Sequence, residues 1–336
     1  MWIIASAVLL LTGCSAVRLV YNQGQTFAYW WLDGYFDFDT EQGNRAREAL
    51  SDWFRWHRAT QLPDYAGLLA QAQRQILQDV TPAETCRWVD EIRKRVEAAY
   101  MQGVPALAGI VRTLKPEQVR QVEKRYQKGD VDFRSDFLQA TRAEQLEAAN
   151  KRTVSRAEMI YGHLDDAQRK LIADGVAASP FDARRWLVER QARQREIVET
   201  LRSLQSARAD AARTEAALRV FAAHAVLSPR PVYREYQQRL YDYNCALAAK
   251  LHNSTTPEQR RHGQERLKGW EDDLRALAAQ RHPDVSERER LDRPRCRALP
   301  LGVSWRVTEC GTEPLLGKSA NEALNMALNS SSPPLL

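Results

Sequence analysis

The familiar signatures of catalysis are missing from this 336-residue chain. It contains no His-Glu-x-x-His pair, no Gly-x-Ser-x-Gly elbow, no phosphate loop and no dinucleotide fingerprint. Its six histidines (His57, His163, His224, His252, His262 and His282) are scattered. No CxxC or Cys/His spacing points to zinc, so neither a metal nor another cofactor is expected. Alternating strand patterns are absent too, which leaves a helical fold. Lysine is scarce, at nine of 49 basic residues, a bias of genome composition rather than a sign of guanidinium chemistry. The chain is therefore read as a non-enzyme.

What is present begins at the N-terminus. An apolar run at residues 2–11 closes on Leu11-Thr12-Gly13-Cys14, which reads as a lipobox ending in the cysteine that becomes lipidated. Residues 1–13 are too short to span a bilayer, which takes about 20 apolar residues; they suit a lipoprotein signal peptide. No Lys or Arg precedes the run, so the positive n-region is lacking and the true start is expected upstream. Ser15, not Asp, follows the cysteine, which favours the outer membrane with the body facing the periplasm. Acyl chains on Cys14 would anchor that body without a helix. There a net charge of +6 suits anionic lipid headgroups, lipopolysaccharide or peptidoglycan carboxylates rather than nucleic acid. A solvated basic face is the plain alternative.

The other cysteines are Cys86, Cys245, Cys296 and Cys310. An oxidising periplasm permits disulfides among an even set. Cys86 and Cys245 lie inside strong helical patterns, so a bridge between them would staple two helices; two small buried thiols are the alternative. Cys296 and Cys310 would close a small loop.

Helix starts are well marked. Thr81-Pro82-Ala83-Glu84, Thr256-Pro257-Glu258-Gln259 and Thr141-Arg142-Ala143-Glu144 are capping boxes. Trp88, Ile92, Val96 and Tyr100 fall on one helical face, and Tyr233, Tyr236, Leu240, Tyr243, Leu247 and Leu251 form a near-heptad stripe. Stops appear at Ser179-Pro180, Ser228-Pro229-Arg230-Pro231 and Asn253-Ser254. The expected fold is an all-α bundle of roughly eight helices, compact or elongated. Residues 184–219 carry nine Arg against five acids, expected on one long helical stretch as a solvated face of (i, i+4) pairs.

Two starts, Leu114-Lys115-Pro116-Glu117-Gln118 and Leu164-Asp165-Asp166-Ala167-Gln168, resemble the Leu-Thr-x-x-Gln motif of spheroplast-protein-Y type periplasmic chaperones. Physically each is a staple residue followed by a cap. A longer resemblance begins at Val17-Arg18-Leu19-Val20-Tyr21-Asn22 and continues through Tyr29-Trp30-Trp31-Leu32-Asp33-Gly34-Tyr35 and Trp56-His57-Arg58. Further strings are Asp132-Phe133-Arg134-Ser135-Asp136-Phe137-Leu138, Arg156-Ala157-Glu158-Met159-Ile160-Tyr161-Gly162-His163-Leu164 and Trp270-Glu271-Asp272-Asp273-Leu274. Together, over about residues 14–282, they resemble the bacterial lipoprotein family called domain of unknown function 6279. The resemblance implies an envelope lipoprotein and a helical body, and no activity.

The candidate binding residues cluster early: Trp30, Trp31, Asp33, Tyr35, Asp37, Asp39, Trp53, Trp56 and His57. The aromatic rings suit either a membrane-interface foot or burial in the first helices. Asp33, Asp37 and Asp39 could ligate a divalent cation, or cap the helix beginning near Thr40 and pair with Arg45 or Arg47. The expected organisation is a signal peptide (1–13), a lipid-anchored aromatic-rich segment (14–39), a helical domain (40–283) and a disordered tail (284–336). The function expected is binding or scaffolding of an envelope protein, lipid or cell-wall partner, with a periplasmic chaperone or stress factor as the alternative and a hydrolase behind both.

Overall fold

The computed structural model describes residues 16–280. The lipobox with Cys14, the pair Cys296 and Cys310, and the expected tail lie outside them. The helices are α1 (Ala16–Asn22), α2 (Gly24–Phe36), α3 (Thr40–Trp56), α4 (Leu62–Gln75), α5 (Pro82–Val111) and α6 (Pro116–Phe137). They continue as α7 (Arg142–Tyr161), α8 (Asp166–Ala178), α9 (Ala183–Ser206), α10 (Ala211–Val226), α11 (Pro231–Asn253) and α12 (Pro257–Ala279). A π-helical turn, His57–Gln61, joins α3 to α4 without a break. No strand occurs among the described residues, and none of their helices is long and apolar enough to cross a membrane. The fold is all-α, as expected. Helices outnumber the expected eight because residues 16–36 are themselves helical and short capped turns divide the periodic stretches. One such turn, residues 207–210, splits the arginine-rich stretch into α9 and α10.

Paired N-termini organise the packing. Asp39 caps α3 and Gln42 reaches back to it, a capping box; Gln118 of α6 likewise accepts from the Lys115 amide at 2.8 Å. The two glutamines then bond each other, and each reaches across: Gln42 to the Thr113 carbonyl (2.8 Å), Gln118 to the Phe36 carbonyl (2.9 Å). The same device recurs between α8 and α12, where Gln168 and Gln259 bond each other and donate to the Ser254 and His163 carbonyls. Both motifs that resemble the chaperone pattern thus place their glutamine in such a clasp. Their leucines, Leu114 and Leu164, are buried.

Hydrophobic clusters fill the space between. Val104, Ala108, Val119, Val122, Val198 and Leu201 form the largest, between α5, α6 and α9. Leu164, Ile172 and Leu251 form another, with Leu164 and Ile172 fully buried, each contributing about 1.5–3 kcal/mol. At Gly175 in α8 an added Cβ would lie 2.4 Å from Leu247 Cδ1, so any larger residue there would push the Leu247 side chain out of its place between α8 and α11. The stripe on α11 is largely internal, with Tyr236, Leu240, Leu247 and Leu251 buried. The stripe on α5 is not: Ile92 and Val96 are 41% and 47% exposed, because α5 turns its 104–111 end, not its middle, toward the core.

Charge is also built into the interior. Asp130 of α6 accepts from Arg190 Nε (3.0 Å), Gln191 (2.8 Å) and Gln194 (3.0 Å) of α9. Glu189, 3% exposed, holds Arg230 through two 2.6 Å bonds and accepts from Ser228 at 2.8 Å. The arginines of α9 are therefore not simply a solvated face. Finally, Cys86 of α5 and Cys245 of α11 are bridged, with sulfurs 2.07 Å apart, as expected.

Candidate functional site

His57 sits where the helical ladder changes pitch. Pro63 has no amide to offer the carbonyl four residues back, and just before it the turn widens, with the Leu62 amide bonding the His57 carbonyl. The imidazole, 9% exposed, stacks on Trp53 at 4.7 Å and meets the edges of Tyr65 (5.4 Å) and Trp56 (6.2 Å). The Trp53 indole is fixed by its bond to the Ala99 carbonyl, 2.8 Å away. Tyr21 of α1 completes the box: its hydroxyl and His57 Nδ1 share a 2.9 Å hydrogen bond.

Burial first, then the neighbouring Arg58 charge, pulls the His57 pKa down to about 4. Burial pushes the Tyr21 phenol up to about 12, against the opposing pull of Arg58. Both groups are thus neutral near pH 7. A lowered histidine pKa means that the unfolded chain binds a proton the fold refuses. The contribution to stability is full above about pH 6.5 and is lost as pH falls toward 4. Following the imidazole by NMR should give a midpoint near 4; a midpoint near 6.5, the free value, would mean the box is open.

The box is a junction of α1 and α12. Arg58 donates to Asn22 Oδ1 of α1 (3.1 Å) and to the Leu277 carbonyl of α12 (3.0 Å), with its guanidinium 5.1 Å from the centre of the Tyr21 ring. Arg18 of α1 pairs with Asp273 of α12 at 2.9 Å. The first helix is thereby fastened to α3, the π turn and α12.

The remaining candidates lie elsewhere. From the cap Asp39 to His57 is the whole length of α3, about 27 Å at 1.5 Å per residue, so the acids and the histidine do not meet. Asp33 accepts from the Phe38 amide (3.1 Å) and Asp37 adopts the left-handed region (φ 49°) with its amide on the Asp33 carbonyl. Asp39 caps α3 and pairs with Lys115 at 3.1 Å. The Gln42 amide and then Lys115 hold its carboxyl below the usual value. The expected partners are otherwise engaged: Arg45 pairs with Glu41, and Arg47 lies 3.9 Å over the Tyr29 ring. Among the described residues no three His, Cys, Asp or Glu side chains gather as a metal set. Tyr35 is buried edge-on to Tyr126 (5.8 Å) with Trp31 packed on it (4.7 Å). Trp30, by contrast, is 52% exposed, as are Leu19 (62%) and Val20 (53%).

Sequence reasoning missed Arg18, Arg58 and Tyr65. Nothing local marks Arg58, since its carbonyl partner is 219 residues away. The Trp-His-Arg string that contains it was the available signal.

No curated protein and no solved structure matches the chain. A family model described as a family of unknown function (DUF6279) matches residues 34–217, which include the acid-capped turn, the His57 box apart from Tyr21, and most of the core. With more than half of its length matched in this way, the chain belongs to the DUF6279 family.

Proposed function

We propose that this protein is a lipid-anchored envelope lipoprotein that acts by binding a partner, not by catalysis, with its body held directly on the outer membrane and facing the periplasm. The observation that carries this reading is the fastening of α1. That helix is described from Ala16, two residues after Cys14, and is fastened to the body through Tyr21–His57, Asn22–Arg58 and Arg18–Asp273. A lipid on Cys14 would therefore dock a rigid body, with no tether between. The exposed Leu19, Val20 and Trp30 lie near that anchor in sequence and supply apolar surface of the kind that enters a headgroup zone. The Cys86–Cys245 bridge supports an oxidising compartment. Partners of the exposed surface are an envelope protein, lipid or cell-wall polymer.

Radiolabelled palmitate should enter the native protein, and Cys14→Ala should abolish both the label and membrane fractionation. Unchanged labelling in the variant would sink the lipoprotein reading.

A further inference from the structure

The strongest unassigned feature is a cavity of about 510 Å³ between the end of α6, α7, α8, the start of α9 and α11. Its volume is in the range of small-molecule sites. The walls are apolar, with Phe137, Phe181, Leu146, Val176, Leu240 and Leu247. Four arginines also line it: Arg142, Arg152, Arg156 and Arg184. The single carboxylate of the lining, Asp182, is spent as the cap of α9, accepting from the Arg184 and Arg185 amides.

Arg152 lies 4.5 Å over the Phe137 ring and donates to the Asp136 carbonyl at 3.0 Å, with the Asp136 charge close enough to favour its protonated form. Arg156, one helical turn on and half-buried, makes no hydrogen bond or ion pair with any described residue. Two like charges at (i, i+4) repel, and their partial burial adds to the cost; the burial lowers both guanidinium pKa values, and Arg156 lowers Arg152 further. Elsewhere this protein answers a buried arginine with a carboxylate, as Asp130 does for Arg190. Here Arg156 has no carboxylate of its own among the described residues, which leaves a place for an anion from outside.

We propose that this cavity binds a single-chain fatty acid, its carboxylate held by Arg152 and Arg156 and its hydrocarbon against the Phe137, Leu146 and Leu247 wall. Guanidinium groups match a carboxylate in forked geometry. A free inorganic anion would leave the apolar wall unused, and a neutral chain would leave the arginines unpaired. The site does not depend on lipidation at Cys14.

The test is photolabelling of the full chain, in vesicles of neutral phosphatidylcholine, with a diazirine fatty acid, mapped by peptide mass spectrometry. Label should fall on the cavity segments of α7 and α11, equally in the Cys14→Ala chain, and be displaced by laurate but not by lauryl alcohol, acetate or inorganic phosphate. Arg156→Gln, which breaks no hydrogen bond or ion pair among the described residues, should cut labelling by about tenfold or more, the loss expected for a charge-assisted bond. Leu146→Trp should block it by filling the space. Labelling confined to other segments, equal competition by the alcohol, displacement by phosphate alone, or a folded Arg156→Gln that labels normally would each overturn the proposal.

Discussion

Replacing Asp130 with alanine should destabilise the fold by about 3–5 kcal/mol, the usual consequence of removing one partner from a buried ion pair. Asp130 and Arg190 are 6% and 9% exposed, and the three donors on the carboxylate come from successive turns of α9. The Arg190 Nη2 also lies against Gly129, 2.9 Å from where a Cβ at that position would begin. Without the carboxylate the guanidinium would stay buried and unpaired. Urea unfolding measures the loss directly. Asp130→Leu together with Arg190→Met should recover most of it, because an apolar pair of similar size avoids desolvating either charge. A single variant within about 1 kcal/mol of the native chain would mean that water already reaches the pair.

Loss of the disulfide should be comparably severe. The bridge from Cys86 to Cys245 spans 159 residues, and in the chain-entropy picture a loop of that order stabilises by roughly 5 kcal/mol. It also pins α11 beside α5, where Tyr241 donates to the Cys86 carbonyl (3.0 Å) or Asp90 (2.8 Å). For a body of this size the melting temperature should fall by about 8–15 °C in the Cys86→Ala, Cys245→Ala chain. Reductant should bring the native chain down to the same value and leave the double variant unmoved. Equal melting of all forms would show that the packing of α5 on α11 needs no covalent help.

The sequence exposed local features well. Capping boxes at Thr81, Thr141 and Thr256, the stops at Pro180 and Pro229, and the cysteine pair are all found where read. Each depends on a few neighbouring residues, or on only two residues of one rare type. What escaped was long-range. That Gln42 would clasp Gln118, or Gln168 clasp Gln259, could not be seen, because a glutamine at the third helical position looks the same whether or not a second helix start faces it. The stripe at Trp88, Ile92, Val96 and Tyr100 had the right period, but periodicity says a face exists, not that another helix covers it. The arginines of α9 illustrate the converse: nothing local distinguishes the buried Arg190 from the exposed Arg195. For the candidate site, the caps at Asp39 and the internal Tyr35 were legible alternatives, while the gathering of Tyr21, Trp53 and Tyr65 on His57 was not.

Arg58 touches both the first helix and the last, at Asn22 and Leu277. In topological terms the described stretch nearly closes on itself, with α1 and α12 meeting at one knot of side chains. Neither α1 nor α12 can peel away without breaking a contact that also secures the other, so opening either one costs contacts of both. A pull applied to α1 would be shared at once with α12.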